Sequence, residues 1–312
     1  MRVLVLPLAA LFLAGLFTVG CDDIDLGGIG GSQRFREDFH FSYPLSSGGT
    51  LRLETFNGSV EISGWDKDTV DIDGTKYANT EYRMKEVKVD VTNSPGTVSI
   101  RALPPLDHRG NAGARFMIHV PRRAELAGIV STNGAIRVDG VEGPARLGTS
   151  NGAVHATGIA GTLEVQTTNG SIEATDISGD TTLRSSNGSI RADIRKGRFA
   201  ATTSNSSITA HLNGSDTTPV RLESTNGHIE LDLNAAREVR ASTSNSSITI
   251  RMPSASDVSL DASTSNGSIT TDFDVSMHGG EISKHHMSGA IGKGGPLLDL
   301  HTSNGSIKLL RL

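Results

Sequence analysis

The sequence predicts an all-β protein: a β-solenoid of about ten stacked two-strand coils preceded by an irregular N-terminal β cap. Three observations lead there. Asparagine returns at a nearly fixed interval, apolar residues keep the same register on both sides of each asparagine, and the composition suits a narrow core rather than a large aromatic one. Of the 312 residues 36 are glycine, and only 4% are aromatic. Helix-period apolar patterning is absent after residue 20, and the net charge of −5 argues against a general nucleic-acid binder.

Residues 1–20 differ from everything that follows. Arg2 supplies a positive start, Val3 to Val19 is almost wholly apolar, and Thr18, Val19 and Gly20 lead into Cys21, with Asp22 and Asp23 directly after. This is the layout of an export signal. It resembles a bacterial lipoprotein signal, although Thr18 stands where such signals usually carry Leu. The resemblance implies that Cys21 becomes the lipidated first residue of the exported chain, which would hold it stably on a membrane through two or more acyl chains. The other reading is an uncleaved N-terminal anchor with an incidental cysteine. Cys21 is the only cysteine, which excludes internal disulfides and any thiolate-based metal cluster. Residues 21–33, rich in Gly and Asp, read as a flexible tether.

Residues 34–121 are less regular and read as a β cap continuous with the solenoid. One clear repeat unit sits at Asn57, strands are expected at Val87–Val91, Val98–Arg101 and Phe116–Val120, and Pro104–Gly113 forms a loop. A cap is needed because an open solenoid end exposes unpaired strand edges.

The regular repeats occupy 122–312. Asparagines recur at Asn57, Asn133, Asn151, Asn169, Asn187, Asn205, Asn226, Asn245, Asn266 and Asn304, and the four steps from Asn133 to Asn205 are 18 residues each. Later steps of 21, 19 and 21 keep the period, and the last step of 38 leaves room for one degenerate unit. Three places after each asparagine the residue is always Val or Ile, as in Ile136, Val154, Ile172, Ile190 and Ile208. The fourth place before it is apolar too, as in Ile129, Leu147, Val165 and Leu183. Each unit is therefore two short alternating strands joined by a tight Asn-Gly turn. Two such strands are marginal alone in water, so the units must stack, giving a rod on the order of 45 Å long at about 4.8 Å per coil. Gly143, Gly161, Gly179 and Gly197, ten places after their asparagines, are expected at a second corner that requires positive φ.

The blocks Ser-Thr-Asn-Gly-Ala-Ile (131–136), Thr-Thr-Asn-Gly-Ser-Ile (167–172) and Thr-Ser-Asn-Gly-Ser-Ile (264–269 and 302–307), with Met117-Ile118-His119-Val120-Pro121 ahead of them, resemble a bacterial family of β-strand-repeat proteins. Its members are described as "putative adhesins" of unknown function. The resemblance covers about residues 45–312 and implies a β-solenoid in the cell envelope, without supplying a ligand or catalytic residues.

Two rows of polar side chains follow from the register. The ten asparagines form a turn ladder whose amides hydrogen-bond from coil to coil inside the rod; Asn also tolerates the left-handed backbone that such a turn uses. A binding ladder is the alternative. Two places earlier, Thr149, Thr167, Thr203, Thr243, Thr264 and Thr302 face inward by alternation and join that internal network. The residues directly before the asparagines, Thr132, Ser150, Thr168, Ser186, Ser204, Thr225, Ser244, Ser265 and Ser303, face outward. This hydroxyl row is either a solvated turn edge or a surface for glycan, peptidoglycan or ice. The recurring Asn-x-Ser pattern, as at Asn169-Gly170-Ser171, is repeat chemistry rather than a glycosylation signal.

No metal or cofactor is expected. His278, His285, His286 and His301 lie near one another in sequence without the spacing of a zinc site, and the acidic glycine-rich series of calcium-binding β-rolls is missing. Aligning Ser288-Gly289-Ala290-Ile291 with the repeat would place Lys284, His286 and Lys293 at core positions, so this stretch reads as a surface insertion. The carboxylates Asp139, Glu164, Glu173, Asp176, Asp193 and Glu230 are scattered over several repeat positions, and no pair has an acid/base spacing.

The expected function is a membrane-anchored envelope lipoprotein acting as a structural or adhesive rod toward cell-wall polymer, glycan or an envelope protein, not an enzyme. The alternatives are a polysaccharide-active β-helix enzyme and a partner-docking scaffold in envelope stress. The sequence leaves the face of the membrane, periplasmic or surface, undecided.

Overall fold

A computed structural model describes residues 35–106, 111–276 and 283–312. The signal, Cys21 and the tether lie outside these residues, as does His278. The described chain is β throughout except for one short helix.

The first part forms β1 (Phe35–Pro44), β2 (Thr50–Thr55), β3 (Val60–Trp65), β4 (Thr69–Ala78), helix α1 (Glu81–Glu86), β5 (Lys88–Ser94), β6 (Thr97–Leu103) and β7 (Ala112–Pro121). Strand pairs follow, each pair one coil. They are β8 (Glu125–Ser131) with β9 (Ile136–Asp139), β10 (Ala145–Thr149) with β11 (Val154–Thr157), and β12 (Leu163–Thr167) with β13 (Ile172–Ser178). Next come β14 (Thr181–Arg184) with β15 (Ile190–Lys196), β16 (Phe199–Thr203) with β17 (Ile208–Leu212), and β18 (Val220–Ser224) with β19 (Ile229–Leu233). The chain ends with β20 (Val239–Thr243) and β21 (Ile248–Met252), β22 (Val258–Thr264) and β23 (Ile269–Thr271), β24 (Val275–Ser276), β25 (His286–Ile291), and β26 (Leu297–Thr302) with β27 (Ile307–Arg311).

In each coil the strand before the asparagine joins a 14-stranded sheet and the strand after it joins a 13-stranded sheet. Neighbouring coils pair in parallel with identical positions opposed, so Val154, Ile172, Ile190, Ile208, Ile229, Ile248 and Ile307 form one unbroken file. Every member of that file is buried, and Leu147, Val165, Leu183, Ala201, Leu222, Ala241 and Leu300 oppose it from the other sheet. The core is thus a narrow seam of aliphatic side chains between two sheets, which is why the chain needs so few aromatic residues. The apolar and outward positions alternate along each strand, as β-strand geometry requires.

The coils are not stacked in chain order at either end. Coil β26–β27 lies between β20–β21 and β22–β23, so the final strands of the sequence fill an interior slot. At the other end β2–β3 lies inside β6 and β7, and the outermost strands run antiparallel: β4 and β1 beyond β7, and β5 beyond β6. The stretch around Ser288 is likewise no coil. It is β25, which runs antiparallel along the free edge of β22, with β24 beyond it. Lys284, His286 and Lys293 are exposed. Antiparallel strands at both ends close edges that would otherwise offer a parallel template to another chain.

Helix α1, β1 and β4 belong to the irregular region, where no repeat reveals them. Thr80 caps α1 by accepting a hydrogen bond from the Arg83 amide, and Met84 buries the helix against the cap. Gly74 of β4 leaves a gap that the Phe39 ring covers, and Phe39 meets Phe116 edge-on at 5.7 Å.

The second corner differs from the expectation drawn from its glycines. Gly143, Gly161 and Gly179 have no positive φ; of the four, only Gly197 does, at 105°. Their need is close approach: a Cβ on Gly143, Gly161 or Gly179 would overlap the main chain of the preceding coil. The left-handed residue lies three places earlier, at Gly140 (65°), Gly158 (64°) and Asp176 (61°), and an Asp is among the few side chains that tolerate it.

Removing residues 297–312 empties the slot between β20–β21 and β22–β23. Hydrogen exchange should then speed up throughout 239–271 while residues 136–194 keep their protection, because solenoid stability is nearest-neighbour in character. Unchanged protection at 258–271 would show that the inserted coil does not hold that end.

Candidate functional site

The asparagine corner is built from three aligned rows. All ten asparagines lie on one line, and each Nδ2 donates to the Oδ1 of the spatially preceding asparagine at 2.6–2.8 Å. The order is 57, 133, 151, 169, 187, 205, 226, 245, 304 and 266, and Asn57 ends the series by donating to the Ala112 carbonyl at 2.9 Å. Backbone bonds run alongside: the Asn151, Asn169 and Asn187 amides donate to the carbonyls of Thr132, Ser150 and Thr168 at 2.8–3.0 Å.

The ladder stands at the surface, which corrects the expectation that it is internal. Nine of the ten asparagines are exposed and Asn57 is half-buried. None has positive φ, since Asp176 is the only non-glycine described residue that does. Asparagine is required here for its paired donor and acceptor, not for left-handed geometry. Glycine follows eight of the ten asparagines, where a Cβ on Gly134, Gly152, Gly170 or Gly188 would overlap the carbonyl of the preceding coil; Ser206 and Ser246 follow Asn205 and Asn245.

The inner stitching is done by the hydroxyls two places before the asparagines from Asn151 onward, whereas Thr55 and Ser131, at the first two positions, are buried without a hydrogen-bond partner. Thr149, Thr167 and Ser185 are buried; each donates to the glycine carbonyl of the preceding coil at 3.0–3.3 Å and accepts from its own glycine amide at 2.9–3.2 Å. Thr203, Thr243, Thr264 and Thr302 make the equivalent donation to residues 188, 227, 305 and 246. One hydroxyl thus satisfies two main-chain groups that water cannot reach.

The residues directly before the asparagines, from Thr132 through Ser265, are exposed, and Ser303 is half-buried. A second row went unnoticed in the sequence. Ser171, Ser189, Ser207, Ser247, Ser268 and Ser306 stand two places after the asparagines, exposed or half-buried, on the opposite flank of the ladder. Its trace was the recurring Asn-x-Ser pattern. Apart from His228 the strip formed by these rows carries no ionisable group through Asn304. The outer sheet faces are the reverse, laced with cross-coil ion pairs such as Arg146–Glu164 (2.9 Å), Arg184–Glu164 (3.7 Å), His155–Glu173 (3.0 Å) and Arg240–Asp299 (2.8 Å). Exposed pairs of this kind contribute little to stability, but they mark those faces as charged.

Four of the six scattered carboxylates serve as partners in this lacing. Glu164 and Glu173 take the roles just given, Asp176 pairs with Arg195, and Glu230 with Arg251. His286 and His301 sit on the outer face at the C-terminal end, His301 bonded to Ser263 and His286 4.0 Å from Asp261. They join no group of three or more metal-ligating residues among the described residues; the one such group is His40, Asp71 and Asp73 in the cap.

One buried ion pair interrupts the repeat. Arg237 is 1% exposed and donates to Asp216 at 3.1 Å and to the Gly214 carbonyl at 2.8 Å. Asp216 also accepts from the Gly197 amide and the Thr218 hydroxyl. Burial pushes its carboxyl upward, but the Gly197 amide, Thr218 and Arg237 outweigh burial and hold it below the ordinary carboxylate range. Asp216 lies in the step from Asn205 to Asn226 and Arg237 in the next, from Asn226 to Asn245; both steps exceed 18 residues, so the pair fastens one lengthened coil to its neighbour.

The family model described as Toastrack DUF4097 matches residues 47–310. The chain belongs to the Toastrack family. Toastrack is a β-solenoid-like fold, as the two long parallel sheets require. No curated protein matches this Toastrack chain. Among solved structures, a "putative adhesin" from Bacteroides fragilis shares 10% identity, covering 91% of this chain and 100% of its own at a TM-score of 0.39. One from Parabacteroides merdae shares 9% identity, covering 88% and 96% at a TM-score of 0.37. A "putative cell adhesion protein" from Clostridium sporogenes shares 11% identity, covering 88% and 100% at a TM-score of 0.22.

Two outcomes test this Toastrack corner. Thr167→Val keeps the shape but strands the Gly152 carbonyl and Gly170 amide, so it should cost about 1–3 kcal/mol in chemical denaturation, whereas Thr168→Val next door should stay within about 0.5 kcal/mol. Equal effects would contradict the division into inner and outer hydroxyls. Separately, the stability contributed by the lowered Asp216 pKa is present above the unfolded carboxylate pKa and is lost as pH falls through the folded value. Asp216→Asn should therefore show a smaller drop in Tm than the parent between pH ~6 and pH ~3.

Proposed function

We propose that this protein is a lipid-anchored envelope rod that binds an uncharged polymer, a glycan or the glycan strands of the cell wall, along its asparagine corner. The observation that carries the reading is the corner itself: an unbroken ladder of ten asparagine amides, nine of them exposed and six flanked on both sides by hydroxyls, almost free of charge. In the ladder each amide uses one N–H and one acceptor position, leaving its second N–H and remaining acceptor capacity for solvent or a sugar hydroxyl. Single contacts of this kind are weak in water. Repetition at about 4.8 Å lets them add through effective concentration.

Cys21, in its lipoprotein-like setting, supplies the anchor in this proposal, and residues 22–33 the reach. No catalytic role is assigned to the rod. A partner-docking role in envelope stress uses the same surface and is separated by the same experiment.

The experiment compares three versions of the protein in cells and on isolated cell-wall and glycan preparations. Deleting residues 151–186 joins Ser150 to Asn187, removes two whole coils in register, and should leave a folded rod whose avidity for the polymer is several-fold lower. Cys21→Ser should move the chain from the membrane pellet to the soluble fraction. Polymer binding that is absent, or that survives the deletion unchanged, would refute recognition through this corner.

A further inference from the structure

His40 lies on β1 directly opposite Asp73 of β4, and Asp71 stands two residues along the same strand and so on the same outer face. The His40 Nδ1 is 2.9 Å from an oxygen of Asp73, and Nε2 is 3.5 Å from an oxygen of Asp71. One ligand atom from each of the three lies within 4.8 Å of the others. Strand pairing fixes their backbones, so only side-chain rotation is needed to bring the atoms together. Of the three, Asp73 also lines an open depression of about 560 Å³, together with Asp38, Glu61, Thr75, Arg115 and Met117. Asp38 is itself oriented there by the Thr75 hydroxyl at 2.6 Å.

We propose that His40, Asp71 and Asp73 form a three-ligand site for a divalent transition ion of the zinc class. One imidazole nitrogen and two carboxylate oxygens are the donor types of an open zinc site, which holds its ligands at about 2.0–2.2 Å and leaves a fourth position to water or a ligand oxygen. Calcium needs six to eight oxygens, and magnesium a near-octahedral shell, so two carboxylates and a nitrogen do not suit either. With His40 neutral the ligand set carries two negative charges, and His40 is held by carboxylates on both sides of its ring. A cation is therefore favoured at this spot by the two carboxylates that flank the ring. The ion takes one ring nitrogen and an oxygen from each aspartate.

The test uses the exported chain carrying Cys21→Ser and needs no knowledge of the polymer. Zinc titrated calorimetrically should bind one ion per chain, and cobalt(II) should give visible d–d absorption of a four- or five-coordinate centre. His40→Ala and Asp73→Asn, both at exposed positions, should each weaken zinc at least tenfold and abolish the cobalt spectrum, with melting curves in metal-free buffer confirming that the variants fold. His301→Ala should bind as the parent does. The proposal fails if the parent binds no zinc at millimolar concentration, if His40→Ala binds as tightly as the parent, or if the stoichiometry is one ion per two chains.

Discussion

The whole molecule depends on adjacent coils meeting at strand distance at the asparagine corner, where the main chain turns and would otherwise be bulkiest. In eight of the ten units glycine after the asparagine removes the side chain that would strike the neighbouring carbonyl. The buried hydroxyl then satisfies that carbonyl and the next amide together. With the corner closed to this distance, the flanking strands have no choice of register, and Val or Ile three places on must fall into a single file. The exposed amide ladder is the outer seam of the same closure, and its polarity is uniform because each amide donates in one direction along the stack.

Much of this was legible because repetition repeats its own evidence. Ile172, Ile190 and Ile208 announce a buried file by keeping one register, and Thr149 and Thr167 announce an inward hydroxyl by parity. What stayed hidden has physical causes. A glycine in sequence does not say whether it is chosen for positive φ or for want of a Cβ: Gly143 and Gly161 serve close approach, while Gly140 and Gly158 carry the positive φ of the turn. An asparagine at an exposed edge and one inside can make the same ladder, and only burial separates them. Coil order is hidden more deeply. Every coil presents nearly the same edges, so nothing in residues 297–311 says which coils they pair with. His40 and Asp73, 33 residues apart, meet through an antiparallel register set within the irregular cap, where no period gives the pairing away.

The division of polarity follows from the same geometry. On the sheets, outward side chains of neighbouring coils stand side by side, so unlike charges settle into cross-coil pairs such as Arg146 with Glu164. At the corner a charge would be repeated at strand spacing with no opposite sign to meet it, and a neutral amide with one donor and one acceptor avoids that repulsion. The rod therefore has one uncharged edge between two charged faces as a direct result of stacking identical units.

The slot filled by β26–β27 bears on how such a rod changes over generations. A middle coil can be copied or lost in steps of 18 residues, since each of its edges meets an equivalent edge and the seams continue unbroken. The ends allow no such freedom. The coil that comes last in the sequence is locked between two made before it, and appending another after Leu312 would meet no open edge at that place. Such a rod can change length in its middle, whereas the interlocked coil β26–β27 and the antiparallel strands of the cap accept no added unit between them and their present neighbours.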